Sequence, residues 1–160
     1  MKEVYRHAAS LLLLRSAVHR GGDADYELLL LHKPRKRDAW QLPQGGMEEG
    51  ETPKECALRE LQEEAGMTDV EVFGASTQAY QYDFPASYRR FRPDNVRGQH
   101  ISYVFALTAP ETAVHVDRNE IDAYRWIRPS ELPQFVKRKE YLLLLERLLA
   151  EALALLAARS

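Results

Sequence analysis

The sequence predicts one α/β domain spanning residues 1–160, and three observations carry this prediction. Short apolar runs typical of strands lie at residues 7–15, 26–31 and 101–107. Residues 53–65 show a helical pattern with clear start and stop signals. A second helix, rich in leucine and alanine, follows at about residues 137–158. The chain has 160 residues, which is the length of one ordinary domain.

The two N-terminal strand segments are separated by a turn cluster at residues 20–23 that contains two glycines. Both segments are almost continuously hydrophobic, which is typical of strands covered on both faces. Residues 33–38 are basic and contain a proline, so we expect a loop there. We also expect residues 40–46 to form a loop.

The helix over residues 53–65 begins with a recognisable capping sequence. Thr52 is the predicted N-cap, Pro53 occupies the first helical position, and Glu55 completes a capping box. Gly66 provides the C-terminal stop.

Shorter elements follow the helix. Strands are predicted at residues 70–82, with Gly74 as a weak point, and at residues 124–127. Residues 85–98 are predicted to form an arginine-bearing loop, and residues 129–132 to restart a helix or turn.

The composition limits the classes of function. With 22 basic and 24 acidic residues the formal net charge is −2, so no global basic field exists to hold a long nucleic acid. Any polyanion site must therefore be local. The single Cys56 cannot form an internal disulfide, and neither apolar stretch, residues 11–14 or 141–158, qualifies as a membrane segment. We therefore expect a cytoplasmic protein with no membrane partner.

Three glutamates dominate one face of the helix over residues 53–65. On a wheel of ~100° per residue, Glu60, Glu63 and Glu64 lie within ~100° of one another, and the roughly opposite face carries Leu58, Leu61 and Ala65. The pattern alone also fits a solvated acidic face of an interaction protein. Mg²⁺ prefers carboxylate oxygens, so the same cluster is suited to holding a hard divalent cation on a phosphate-rich substrate.

The wider spacing decides between these alternatives. Residues 45–67 resemble the signature of the Nudix family at every fixed position, namely Gly45-x5-Glu51-x7-Arg59-Glu60-Leu61-x-Glu63-Glu64-x-Gly66-Met67. An unrelated acidic helix would leave the glycine spacing and the capping residues unexplained. The intact glutamates favour an enzyme over a nucleotide-binding regulator that keeps the fold without catalysis.

The resemblance implies a fold, a reaction and a set of roles. The fold is an α/β/α sandwich with a mixed sheet, and the reaction is hydrolysis of a pyrophosphate bond in a nucleoside diphosphate linked to another group. The implied cofactor is Mg²⁺, for which Mn²⁺ can substitute. Glu60, Glu63 and Glu64 would hold the metal, with a carbonyl contributed near Gly45. Structural support would come from Gly46, Glu51, Arg59 and Gly66.

Residues outside the signature resemble bacterial RNA pyrophosphohydrolases and dinucleoside polyphosphate hydrolases. The similar segments are Tyr5-Arg6, Trp40-Gln41-Leu42-Pro43-Gln44-Gly45-Gly46, Ala75-Ser76-Thr77 with the tyrosines that follow, and Gly98-Gln99-His100. This resemblance implies that Arg6 and Tyr82 contact the substrate. It also implies that Glu120 is a fourth acid near the metal, either a ligand or the general base, with Asp117 and Asp122 as rivals.

Basic residues suggest further substrate contacts independently of the family. Lys33 and Arg35 lie in one positively charged loop, Arg89 and Arg90 lie in another, and Lys137 precedes the last helix. In a chain of net negative charge, such loops suit a polyphosphate. The expected substrate is an RNA 5′ end or a dinucleoside polyphosphate, with smaller nucleotides such as NTPs, ADP-ribose or nucleotide sugars as the alternative. The leucines of the last helix leave packing within one chain and a homodimer both open.

Overall fold

The computed structural model describes residues 2–18, 24–34, 39–89 and 95–159. Its sheet is built around two long parallel strands, β1 (Val4–Val18) and β7 (Val96–Thr108), which pair from Tyr5 opposite Gly98 to Arg15 opposite Thr108. The four leucines at 11–14 have no exposed surface. The continuous apolar run of β1 is thus explained by burial on both faces of the sheet.

The other strands extend the sheet on both sides of this pair. The main order is β3–β2–β1–β7–β5, in which β2 is Ala24–His32, β3 is Trp40–Gln41 and β5 is Glu71–Ala75. Three strands pair off this path: β4 (Gln44–Gly46) with β1, β6 (Tyr80–Asp83) with β7, and β8 (Ala123–Ile127) with β2. Only β1 and β7 are parallel, so the described sheet is mixed, as predicted.

One long helix covers each face of the sheet. Helix α1 (Pro53–Ala65) packs with Leu11 and Leu13, whereas the C-terminal helix α4 (Lys139–Arg159) packs with Leu12 and Leu14. Two short helices, α2 (Ala86–Arg89) and α3 (Leu132–Phe135), and a 3-10 turn at Pro129–Glu131 complete the described elements. The predicted α/β/α sandwich is confirmed. Among the helices of the described ranges, none is long and apolar enough to cross a membrane.

The predicted caps of α1 are present. The Thr52 hydroxyl accepts the Glu55 N–H, and the Glu55 carboxylate accepts the Thr52 N–H. Gly66 ends the helix at φ +64°, and a Cβ there would lie 2.9 Å from the carbonyl oxygen of His115. Glycine is therefore required at this end both by conformation and by space.

Three local predictions were wrong. Residues 40–46 are not simply a loop, because β3 pairs with β2, and β4 with β1. Residues 70–82 form two strands, since β5 and β6 pair with different halves of β7 and the chain bends at residues 76–79. Residues 85–98 include α2 and the start of β7. In each case the deciding pairing partner is distant in sequence, so no local pattern shows it.

The helical wheel also needs correction. The buried residues of α1 are Cys56, Ala57, Leu61, Ala65 and Glu64. Glu64 therefore lies among the apolar residues and not opposite them, and Leu58 is only partly buried. A carboxylate at the centre of a buried face is costly unless it has a partner or a function.

Candidate active site

Glu64 is the most unusual group in the described chain. Its side chain is 2% exposed, and one carboxylate oxygen accepts the backbone N–H of Gln44 at 3.0 Å. The other oxygen lies 3.9 Å from the Lys33 ammonium. Burial raises the pKa of Glu64 to about 7, and the charges of Glu60 and Glu120 act in the same direction.

Glu60 occupies space that only a glycine opposite it leaves open. A Cβ added to Gly45 would lie 2.1 Å from the Glu60 carboxyl carbon, so strand β4 and α1 approach each other at this point without a side chain between them. The Glu60 side chain is 12% exposed. Burial raises its pKa first of all, and the charges of Glu63 and Glu120 raise it further.

Arg59 holds this cluster to the preceding loop. Its Nε and Nη2 donate to the two Glu51 oxygens at 2.7 and 3.0 Å, and Nη2 also donates to the Gly46 carbonyl at 2.9 Å. Its Nη1 donates to Glu60 at 2.9 Å and to Glu63 at 3.2 Å. The guanidinium lowers the pKa of Glu51 to about 2. Residues 46–51 are thereby fixed against the carboxylate face of α1.

The three acidic residues of the loop at residues 117–122 differ in the contacts that their carboxylates make. Asp117 accepts the N–H groups of Asn119 and Ile121 at 3.0 and 2.9 Å, and Asp122 lies 2.6 Å from the His32 ring nitrogen. Glu120 is exposed and has no hydrogen bond or ion pair within the described ranges. Its charge nevertheless acts on both Glu60 and Glu64. Of the three rivals, Glu120 alone is placed near those carboxylates and has its own carboxylate uncommitted.

A cavity of about 380 Å³ opens on the α4 side of the sheet. Tyr80, Tyr82, Tyr103 and Tyr141 line it, together with polar groups that include Gln44 and Arg138. Gln44 is shared, because its backbone N–H binds Glu64 while the residue also lines the cavity. Gln44 therefore touches both the carboxylate cluster and the tyrosine cavity.

Comparison with known proteins identifies the family. The family described as NUDIX domain matches residues 6–147. This chain belongs to the Nudix family. The match agrees with the predicted signature and with the sandwich fold, both of which are confirmed.

Two relatives of known name are similar to this chain in sequence. An RNA pyrophosphohydrolase of Halorhodospira halophila is 42% identical over 113 residues, which are 65% of this chain and 62% of that protein. The match thus spans less than two thirds of that relative. An RNA pyrophosphohydrolase of Sulfurovum sp. is 34% identical over 134 residues, covering 79% of this chain and 84% of the relative. The prediction of an enzyme acting on pyrophosphate bonds is confirmed.

The solved structure supports the fold alone. A C. elegans Ap4A hydrolase binary complex has a TM-score of 0.71 and 19% identity, covering 93% of this chain and 98% of that one. At this identity the likeness carries no information about the substrate of the present Nudix protein.

The donors at the Nudix signature fit a hard cation. Glu60, Glu63 and Glu64 supply only oxygen, and Gly45 leaves the Glu60 carboxylate the room it occupies. In the described residues no three His, Cys, Asp or Glu side chains are grouped as they would be around a metal ion. Arg59 donates to both Glu60 and Glu63. The donor chemistry therefore fits Mg²⁺, and Arg59 pairs with two of the three donors, Glu60 and Glu63.

Several predicted substrate residues lie near this cluster. Lys33 approaches Glu64, Tyr82 lines the cavity, and Arg6 lies beside Gly46, where an added Cβ would meet the Arg6 Cδ at 4.0 Å. Burial raises the pKa of Tyr82, whose hydroxyl donates to the Gln99 side chain at 2.8 Å.

Other predicted contacts are not brought to the cluster. Arg89 is ion-paired with Glu3, and the Lys137 ammonium donates to the Pro133 carbonyl at 3.2 Å. Arg35 and Arg90 lie outside the described residues. Of the basic-loop residues predicted to bind substrate, Lys33 is the one that the described ranges place beside the carboxylate cluster.

Sequence reasoning did not assign roles to Gln44, Asp117 or Tyr141. Gln44 stood in the quoted segment before the signature, and Asp117 was considered only as a rival acid. The Tyr141 hydroxyl accepts the Leu42 N–H at 3.0 Å across 99 positions of sequence, so no local pattern could have revealed it.

Proposed function

We propose that this Nudix enzyme hydrolyses a pyrophosphate bond at the 5′-triphosphate end of RNA, with dinucleoside polyphosphates as the second substrate class. One observation carries the proposal: Gln44 joins the carboxylate cluster to the tyrosine cavity. A nucleoside in the cavity would have its phosphates directed over Gln44 towards Glu64. The names of the relatives from Halorhodospira and Sulfurovum favour RNA as the first choice.

The carboxylates supply the metal-binding part of the proposed site. Glu60, Glu63 and Glu64 would hold Mg²⁺ or Mn²⁺, and Glu120 would act as a further ligand or as the general base. When bound, the ion neutralises phosphate charge and lowers the pKa of a coordinated water. The Arg59–Glu51 hydrogen bonds hold residues 46–51 against α1, which positions the donors before the substrate binds.

The cavity residues supply the nucleoside-binding part. A base can stack on the exposed faces of Tyr80 or Tyr82, and each such stack contributes ~1–3 kcal/mol in proteins that bind single-stranded nucleic acid. Lys33 and Arg6 lie close enough to the cluster to meet phosphate oxygens. Because Arg89 is paired with Glu3, we do not assign it a substrate contact.

A substrate panel tests the proposal. Triphosphorylated RNA, diadenosine tetraphosphate, an NTP and ADP-ribose are compared at fixed Mg²⁺, with kcat/KM as the readout and Glu64→Gln as the control. We expect the first two substrates to be preferred and every activity to collapse in the variant. A wide preference for ADP-ribose would refute the substrate while leaving the metal chemistry intact. Binding without turnover of any substrate would favour the non-catalytic regulator.

Three further properties remain predictions. A cytoplasmic location and a single domain over residues 1–160 rest on the sequence. A homodimer would use the outer face of α4, where Leu143 is 56% exposed while Leu145 and Leu148 pack on the sheet.

A further inference from the structure

Two histidines form a cross-strand pair outside the Nudix site. His7 on β1 is the direct partner of His100 on β7, and their ring centroids are 4.9 Å apart with an interplanar angle of 42°. Both side chains lie on the α1 side of the sheet, because each is an even number of positions from residues of its own strand that pack under α1, such as Leu11 on β1 and Val104 on β7. His7 is exposed and His100 is partly exposed, so the pair is accessible from solvent.

A third strand provides a hydrogen-bond partner for the His100 ring. Its Nδ1 lies 3.0 Å from the amide oxygen of Gln81, which is its register partner on β6. With that oxygen as the acceptor, Nδ1 carries the hydrogen and Nε2 keeps a lone pair for a ligand. A second hydrogen bond of this kind is what orients metal-binding imidazoles in proteins. The His7 ring has no hydrogen-bond partner in the described part of the chain, so it also keeps a nitrogen for a ligand.

We propose that His7 and His100 chelate one divalent transition-metal ion, with Zn²⁺ as the probe and waters as the remaining ligands. At Zn–N bonds of ~2.0–2.1 Å, two imidazoles at a right or tetrahedral angle have ring centroids roughly 4.5–5.2 Å apart. The observed centroid separation of 4.9 Å lies inside this window, so the two rings are as far apart as a shared ion requires. Imidazole nitrogen selects Zn²⁺, Ni²⁺ or Cu²⁺ over Mg²⁺, which prefers oxygen.

Within the described residues, the neighbours of the pair provide no third protein ligand. On the same face, the next row of the sheet holds Tyr5 and Asp83, but the Asp83 oxygens accept from Tyr5 and Arg97, both at 2.6 Å. Asp83 is therefore committed and does not provide a third ligand. Two imidazoles alone predict micromolar affinity and not the tight binding of a structural zinc site.

The site is separate from the proposed active site but close to it. The His7 carbonyl accepts the Met47 N–H at 2.9 Å, immediately after the Gly46 that Arg59 binds. A bound ion would tie β1 to β7 beside this segment without using any carboxylate of α1. The proposal does not depend on the hydrolase activity.

Calorimetric titration of Zn²⁺ into the full chain tests the site. Excess Mg²⁺ is present throughout to occupy the carboxylates. The variants are His7→Gln and His100→Gln, and the matched control is His115→Gln, which removes an exposed histidine outside the pair. We expect one micromolar site in the wild type and the control, and a loss of affinity of at least ~10-fold in each pair variant.

Thermal unfolding provides the second measurement. Since a ligand bound only to the folded state raises its stability, Zn²⁺ should raise the Tm of the wild type and the control but not of the pair variants. All four proteins should share one Tm without Zn²⁺, which verifies that the variants fold. Unchanged Zn²⁺ affinity in both pair variants, or no binding by the wild type in Mg²⁺, would overturn the proposal.

Discussion

Two glutamates of the site lie where burial of a carboxylate costs folding free energy. Within the described residues, the buried Glu64 has a backbone N–H and a distant ammonium as partners, and Glu60 has room because Gly45 has no side chain. Burial of either carboxylate costs free energy when the group is ionised, and for Glu60 the ion pair with Arg59 offsets part of that cost. Under the proposed function a bound cation would favour both arrangements, so stability and activity would be opposed at these two positions.

Replacing Glu64 should therefore stabilise the metal-free protein at high pH. The pKa of Glu64 is raised from 4.5 to about 7, so the stability contributed by its protonated form is complete below pH 4.5 and is lost as the pH rises through 7. Glutamine stays neutral and can still accept the Gln44 N–H. In chelator, we expect Glu64→Gln to exceed wild type by roughly 2–3 kcal/mol at pH 8, and by little near pH 4.5.

Denaturant unfolding at several pH values measures this difference in the free energy of unfolding. Glu63→Gln is the control, because the Glu63 side chain is 56% exposed. A stability difference for Glu64→Gln that does not change with pH would show that the carboxyl titrates normally.

Gly45 and Gly46 form a matched pair for testing the space around Glu60. Gly45→Ala would place its Cβ against the Glu60 carboxylate, whereas a Cβ at Gly46 meets only the flexible Arg6 side chain at 4.0 Å. We expect Gly45→Ala to lower the free energy of unfolding by ~1–3 kcal/mol, as overpacking does, and to weaken Mg²⁺ binding. Gly46→Ala should stay within about 1 kcal/mol of wild type in the same denaturant titration. Equal effects of the two substitutions would contradict the close approach of β4 and α1.

At the scale of elements, the site depends on segments that pair at a distance. Strand β4 is three residues long, yet it holds Gln44 and Gly45 against α1 by pairing with β1. The connection between β5 and β6 is anchored from α4, where Glu151 accepts the Ser76 hydroxyl and the Thr77 N–H at 2.9 and 2.8 Å. The tyrosines of β6 are therefore positioned by the opposite end of the chain.

The loop that carries Glu120 is predicted to be held by Asp117. Asp117→Ala removes the acceptor of two backbone N–H groups on either side of Glu120, so that carboxylate should lose its fixed position. We expect kcat to fall by ~10-fold or more, with a smaller change in KM. Asn can accept the same bonds, so Asp117→Asn should keep most of the activity. Steady-state kinetics of the two variants distinguish this role from a loss of charge, which would affect both alike.

For the whole molecule, the sequence predicted those features that depend on local signals. The caps of α1, the buried runs of β1 and β2, and the signature at residues 45–67 are all contiguous, so the family and the sandwich followed from them. The burial of Glu64, the pairing of residues 40–46, and the cavity closed by Tyr141 depend on contacts between distant segments. Arg89 illustrates the same limit, because its ion pair with Glu3 joins residues 86 positions apart and no local pattern shows it.

The central claim is that the carboxylates of α1 and the adjoining tyrosine cavity make one pyrophosphohydrolase site. The most direct measurement follows conversion of 5′-triphosphorylated RNA to 5′-monophosphorylated RNA in Mg²⁺ by the wild type and by Glu64→Gln. We predict conversion by the wild type, none in chelator, and a rate at least ~10–100-fold lower in the variant. Conversion at equal rates by both proteins, or no conversion of this RNA by the wild type at saturating Mg²⁺, would contradict the account.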